Sequence, residues 1–303
     1  LIGVDGGASE IKAHEVEVVL DRGRPVLRTT ARRAARLVKR NATFATPAER
    51  GRRTEEIDDV MTSAEDAQAW AWIEATSACI VELARSREAK EVLVGIAMPG
   101  VKTEDGRGIR FALNAPRVPQ FCERLERTLA AEGIALARPI ARLESDGDCC
   151  GLGEEWAQDG LLRGVSNAYY IGGGTGLAEA LKVRRALVPH DSVARSFPKA
   201  FALKSASGMD WESLLSARGI NWHYASEKGL GLPLNADQYP EARAARDPSA
   251  ARILSDTGRR LAEFVALRLR ALHALDEHDS TLPGPIAIDR VVNVDSQSGT
   301  SFG

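Results

Sequence analysis

The chain is poor in the features that place a protein quickly. Aromatic residues make up 5% of it, and the formal net charge is −2 with histidine neutral. So even a charge balance gives no footing for a polyanion, and composition speaks against nucleic acid as a partner. The basic cluster between Arg22 and Arg53 is followed closely by acidic residues and reads as a solvated, charged surface segment. Cysteine is scarce: Cys79, Cys122, Cys149 and Cys150 form no CxxC pair, and no Cys/His spacing suits zinc. The adjacent Cys149 and Cys150 read as small buried hydrophobes in a reducing compartment. No apolar run reaches the roughly 18 residues needed to span a bilayer, and no signal-peptide pattern is visible. A cytoplasmic protein without a membrane partner is expected.

What is there suits a globular α/β chain. Hydrophobic residues make up 44% of 303 positions, enough for one large domain or two lobes. Leu1–Asp5 predicts a strand, and the alternation over Ile11–Leu20 a second one in a hairpin. Residues 21–60 are charged and less regular. Ser63–Arg87 predicts a helix capped by Ser63, with an apolar stripe through Ala69, Ile73, Ala78, Val81 and Leu83. Further strands are expected at Glu91–Met98, Pro139–Glu144, Ala168–Ile171 and Ile286–Val294. Helices are expected at Pro119–Glu132, from Ser145 to about Trp156, and at Ser249–Leu275. A strand–glycine-turn–strand unit near residue 5 returns near residue 174 and suggests two similar lobes.

Three segments place an Asp or a glycine run at the carboxyl end of an expected strand, where ligands gather in open α/β sheets. In "GVDGGASEIKA", residues 3–13, Gly6 and Gly7 let the backbone fold over a phosphate and Ser9 supplies a hydroxyl. A plain glycine hairpin explains the same residues. In "LESDGDCCGLGEEW", residues 143–156, Asp146 stands where a helix N-terminus favours an ionised carboxylate. That carboxylate could take the proton of an attacking hydroxyl. Simple capping by Ser145 or Asp146 is the alternative. In "YYIGGGTGLAEAL", residues 169–181, the glycines run into a helical-looking segment. A third glycine for a Rossmann turn is missing, since Leu177 and Glu179 stand there, and no GKS or GKT supports a Walker loop.

Together the three segments resemble the sugar-kinase branch of the actin-like ATPase superfamily, and most of all the ROK family. "GIAMPGVKTEDGRGIRFALNAP", residues 95–116, is similar to that family's Pro-Gly turn, hairpin and Asn-x-Pro loop. "DPSAARILSDTGRRLAEFVALRL", residues 247–269, is similar to its late helix. The resemblance implies a two-lobed actin-like (ribonuclease H-like) α/β fold with a nucleotide cleft between lobes 1–114 and 115–303. It implies transfer of the γ-phosphoryl group of ATP to a hexose hydroxyl, with Mg²⁺. Asp146 would be the general base, and Asp5 would lie at the Mg²⁺–phosphate end. Gly6, Gly7, Ser9, Gly174, Thr175 and Gly176 would hold ATP; Asn114, Ser145 and Asp146 would face the sugar.

The departures are as informative. Ser145 stands where the family has Asn, and Leu203 where it has a sugar-binding Glu. The family's zinc cluster is absent from residues 182–203, so no structural zinc is expected, and His190 does not align with it. Glu179 would put negative charge near a phosphate unless it binds metal or points away. The expected protein is an ATP-dependent sugar kinase with an atypical sugar pocket; the alternative is a non-catalytic regulatory member of the family. The apolar helix faces suggest a homodimer.

Overall fold

The computed structural model describes residues 1–47, 49–50, 60–174, 176–275, 282 and 285–295. They form two compact units, Leu1–Cys149 with Trp156–Asp159, and Cys150–Glu155 with Gly160–Gly303. The expected division at Asn114 lies inside the first unit. Residues beyond it stay there because Phe121, Cys122, Leu125 and Leu129 bury into the same core as the helix before them.

The first unit holds β1 (Ile2–Gly6), β2 (Glu10–Asp21), β3 (Arg24–Leu37), α1 (Ser63–Ser86), β4 (Glu91–Val92) and β5 (Val94–Ala97). There follow β6 (Val101–Lys102), β7 (Ile109–Phe111), α2 (Phe121–Ala131), β8 (Ala135–Leu136) and the start of α3 (Asp146–Trp156). The main sheet has the order β3-β2-β1-β5, with β1 antiparallel to β2 and parallel to β5. Strand alternation sends Ile2, Val4, Ile11, Ala13 and Ala34 into the core beneath α1. Helix α1 answers with Ala69, Trp72, Ile73, Cys79, Ile80 and Leu83, the three-and-four spacing of a buried helical stripe.

Three local expectations change. The segment after residue 21 is not irregular throughout: β3 pairs with β2 on both sides of a bulge between His14 and Val16. Its arginines hide the pattern, because Arg28 and Arg32 are ion-paired across the strands to Glu17 and Glu15. The cap of α1 is Thr62, whose side chain accepts the Glu65 N–H at 3.1 Å, and not Ser63. Pro139–Glu144 forms no strand; only Glu144 makes a parallel bridge, to Ala97.

The second unit holds β9 (Ala168–Gly173), β10 (Leu177–Val183), β11 (Ala186–Val188), α4 (His190–Val193), α5 (Trp211–Leu215) and α6 (Ala217–Lys228). It closes with α7 (Pro240–Arg243), α8 (Pro248–His273) and β12 (Arg290–Asp295). The sheet order β11-β10-β9-β12, with β12 parallel to β9, repeats the plan of the first sheet. The echo expected from the sequence is therefore present in strand order and direction. Residues 177–183 form a strand and not a helix. Ala, Leu, Glu and Lys favour a helix there, but Ala180, Leu181 and Val183 are buried on opposite faces of a sheet, and tertiary burial overrides propensity. No described helix is long and apolar enough to cross a membrane.

Candidate active site

The first unit brings Asp5 and Asp146 toward one end of its parallel strands. Asp5 is in register with Ala97 on β5, and Ala97 with Glu144. The Met98 N–H donates to the Glu144 carbonyl at 3.0 Å, and the Glu144 N–H to the Ile96 carbonyl at 2.9 Å. With strands about 4.8 Å apart, Asp5 and Glu144 lie about 10 Å from each other in one row. Two residues on, Asp146 opens α3.

Ser145 caps that helix. Its hydroxyl accepts the Asp148 N–H at 3.1 Å, its carbonyl the Cys149 N–H at 3.0 Å, and the side chain is buried. Capping is therefore done by Ser145, and Asp146 is left exposed, with one carboxylate oxygen accepting the Gly147 N–H at 3.0 Å. Desolvation by the surrounding chain raises the Asp5 carboxyl above its ordinary value. Lys12 opposes this, and the charge of Asp146 adds to it. The two carboxylates therefore feel one another. Lys12 faces Asp5 across the β1–β2 ladder, and sequence reasoning had not singled it out.

The loop after Asp5 is a hairpin end, as the plainer reading had it, but an incomplete one. The Gly7 N–H donates to the Glu10 carbonyl at 2.8 Å. The N–H groups of Ala8, Ser9 and Glu10 have no acceptor among the described residues. The Ser9 carbonyl accepts the Val38 N–H and the Glu10 carbonyl the Gly7 N–H, so the backbone groups of these two residues face opposite edges of the strand. The glycines are sterically required: a Cβ on Gly7 would lie 2.7 Å from the Glu10 carbonyl oxygen, and one on Gly6 2.1 Å from Met98 Sδ.

Asn114 is exposed on the loop after β7. Gly100, at φ +96°, lets that loop close in: its missing Cβ would sit 3.0 Å from the Ala112 Cβ. Arg117 fixes the far end. Its Nε and Nη2 each reach a Glu65 carboxylate oxygen at 3.0 Å, and its backbone N–H adds a third bond at 3.1 Å. Burial raises the Glu65 carboxyl, but the Arg117 hydrogen bonds outweigh it and hold it below its ordinary value.

The second glycine turn differs. The Gly174 N–H donates to the Gly176 carbonyl at 2.9 Å, and the Gly174 carbonyl accepts the Ala217 N–H at 2.8 Å. The Leu177 N–H donates to Glu212 Oε2 at 3.1 Å. Thr175 lies outside the described residues. Glu179 points away from the turn. It is buried, ion-paired to Arg268 at 2.8 Å, and accepts from Tyr169 Oη and the Ala200 N–H, each at 2.7 Å. Arg268 lies over the Phe197 ring, 3.3 Å from its centroid. Beside the turn is a recess lined by Ile171, Gly173, Leu177, Leu215, Thr257 and Asn293.

The remaining candidates are structural. Leu203 packs on the core of the second unit. His190 is buried against Phe197, its Nε2 2.9 Å from that residue's carbonyl, and burial pushes it down to about 4. Burial likewise raises the Cys79 and Cys122 thiols, to about 11 and about 12. Neither is a nucleophile at neutral pH. Among the described residues no group of three or more His, Cys, Asp or Glu side chains could hold a metal ion. Asp5 with phosphate oxygens still fits Mg²⁺, which commonly takes one or two carboxylates and completes its shell from phosphate and water.

No family model matches the chain, and no curated protein matches it. Solved structures do. A ROK-family glucokinase from Streptomyces griseus, crystallised with glucose and AMPPNP, is 17% identical with a TM-score of 0.53, over 96% of this chain and 93% of that one. The ROK hexokinase of Thermus thermophilus is 16% identical with a TM-score of 0.52, over 97% and 81%. A ROK-family transcriptional regulator, a homologue of the E. coli MLC protein, is 12% identical with a TM-score of 0.52, over 88% of this chain and 61% of that one. The resemblance read from the sequence holds at the level of the fold.

Proposed function

We propose that the chain is an ATP-dependent sugar kinase that works through Asp146. What supports this is that Asp5, followed by the glycine turn, ends one strand of the first sheet, and that Asp146 opens α3 two residues after Glu144, which bridges the neighbouring strand. Phosphoryl transfer asks mostly for positioning and charge neutralisation, and these groups supply both. The N–H groups of the glycine turn hold phosphate oxygens. Asp146, relieved of capping by Ser145, accepts the proton of the attacking hydroxyl as the sugar O–P bond forms, while the bond from the γ-phosphorus to the bridging oxygen breaks and ADP leaves with that electron pair. Asn114 orients the sugar from a loop that Arg117 holds still. Mg²⁺ at Asp5 would screen the charge of the triphosphate. A fold shared with a glucokinase and a hexokinase supports the reading.

The test is sugar-dependent ADP release against a panel of hexoses and N-acetylhexosamines. Asp146→Asn should lower kcat by about 10²–10⁴-fold with KM for ATP little changed. Equal turnover in the variant would remove Asp146 from the chemistry.

One observation favours a regulatory member of the family instead. Ser145 is buried as a cap and Leu203 is an apolar side chain packed against the core, so two positions expected at the sugar offer it little. Sugar binding without ADP release from any substrate would decide for that reading.

A further inference from the structure

We infer that Glu212 is a specificity-determining residue of the second glycine turn: its carboxylate holds the place where that turn would take a phosphate, so the turn admits a neutral or hydrogen-bond-donating group and refuses an anion. Glu212 Oε2 accepts the Leu177 N–H at 3.1 Å. An N–H carries one hydrogen, so a phosphate oxygen reaches this donor only by displacing the carboxylate. The carboxylate also lies close over Gly176: a Cβ there would sit 3.0 Å from Oε2, 3.3 Å from Cδ and 3.6 Å from Oε1. Glycine at 176 thus makes room for a side chain of the protein itself, and the close backbone approach that a phosphate would need is already in use. Glu212 lies 35 residues from Leu177 along the chain, which is why the glycine run alone suggested a phosphate loop.

The carboxylate is held in place. Glu212 stands in the first turn of α5, whose cap Asp210 accepts the Ser213 N–H at 2.8 Å and the Ser213 hydroxyl at 2.9 Å. Its neighbours Trp211 and Leu215 are buried in the core of the second unit, with the Trp211 ring 5.2 Å from that of Phe264 between centroids. The Ser216 N–H donates to the Glu212 carbonyl at 2.9 Å, and the Ala217 N–H to the Gly174 carbonyl at 2.8 Å, so the junction of α5 and α6 is docked on the same turn. Arg218 pairs with Glu212 Oε1 at 3.4 Å, and its side chain is half-exposed. An incoming phosphate would set a second anion against the carboxylate, and like charges in contact oppose binding. A hydroxyl or an amine would donate to it instead.

The inference leans on the kinase reading only for naming the refused anion as a nucleotide phosphate. Its test therefore uses inorganic tripolyphosphate and no sugar. The Leu177 amide resonance, assigned through Leu177→Met in the full chain carrying isotope-labelled leucine, reports on the donor itself. Glu212→Ala frees that donor. The resonance should then move with tripolyphosphate at about a tenth of the concentration that wild type needs, the worth of one charge-assisted hydrogen bond. Glu212→Gln keeps the shape and the acceptor and loses only the charge. It should fall between the two, and it carries the test if the alanine variant folds poorly. Glu227→Gln makes the same charge change about 15 Å along α6 from Ala217 and should match wild type. A resonance that responds alike in wild type and in both Glu212 variants would overturn the inference. So would one that responds in none of them. A response that depends on Glu212, in a chain that releases no ADP with any sugar, would uphold Glu212 and sink the kinase.

Discussion

The turn at Gly6–Gly7 and the turn at Gly172–Gly176 occupy matching places in two sheets of the same plan, yet their backbones are engaged differently. In the first, three successive N–H groups stand open and the nearby carboxylates are Asp5 and Asp146. In the second, the Gly174 and Leu177 N–H groups are already taken, one of them by Glu212. A Cβ on Gly176 would lie 3.0 Å from that carboxylate. Glycine enrichment alone thus marks a tight turn; anion binding needs open donors as well. The second turn presents a negative side chain where a phosphate would need a positive field.

Four substitutions or conditions would sharpen or break this contrast. The largest effect is expected under the second turn. Glu179→Ala leaves Arg268 buried and unpaired, and should cost about 3–5 kcal/mol in thermal or urea unfolding. Tripolyphosphate affinity, measured where the variant is folded, should not change. Next is Gly7→Ala, whose methyl meets backbone that cannot swing aside; about 1–3 kcal/mol of stability should go, with tripolyphosphate binding. Gly173→Ala meets nothing within 4 Å and should stay within about 0.5 kcal/mol of wild type. If the two alanines cost the same, the contrast fails.

The third is a pH effect. The Asp5 carboxyl is raised, so on acidification it takes up its proton earlier than an ordinary aspartate. Mg²⁺ needs the ionised form, so the Mg²⁺-dependent part of ATP binding should fall away as pH drops through that raised value. Asp5→Asn should show no such step. The smallest effect is expected for Glu212→Gln. Removing the charge beside the second turn should tighten ATP binding a few-fold, and loosened binding would show that Glu212 helps the ligand.

Much of this was legible in the sequence, and the exceptions have physical causes. The Asp5 hairpin, the helix from Asp146 and the strand at Ala168 follow from alternation and turn chemistry. Strand β3 was hidden because Arg28, Arg32 and Arg36 face acidic partners on β2 and α1, and a window along one strand does not see its neighbours. Strand β10 was hidden because helix-favouring residues lie buried in a sheet. At the site, Asp5, Asp146 and Asn114 could be named, but which residue caps α3 could not; two adjacent polar residues compete for that role, and only geometry separates them. Trp72, Arg117 and Glu65 carried no local signal. They act across long stretches of chain.

Helix α1 gives these last residues a joint consequence. Glu65 anchors the Asn114 loop, and Trp72 anchors the Gly7 carbonyl. They are two helical turns apart, about 10 Å along the axis, and on nearly the same side. The helix therefore works as a ruler between the loop assigned to the sugar and the loop assigned to the phosphate. Side chains other than Arg117 can be exchanged in either loop without removing these two anchors. A single residue inserted between positions 65 and 72 would lengthen it by about 1.5 Å and swing one anchor about 100° around the axis. The spacing of the two loops is thus tied to the helical repeat, and it can change only in steps of whole residues.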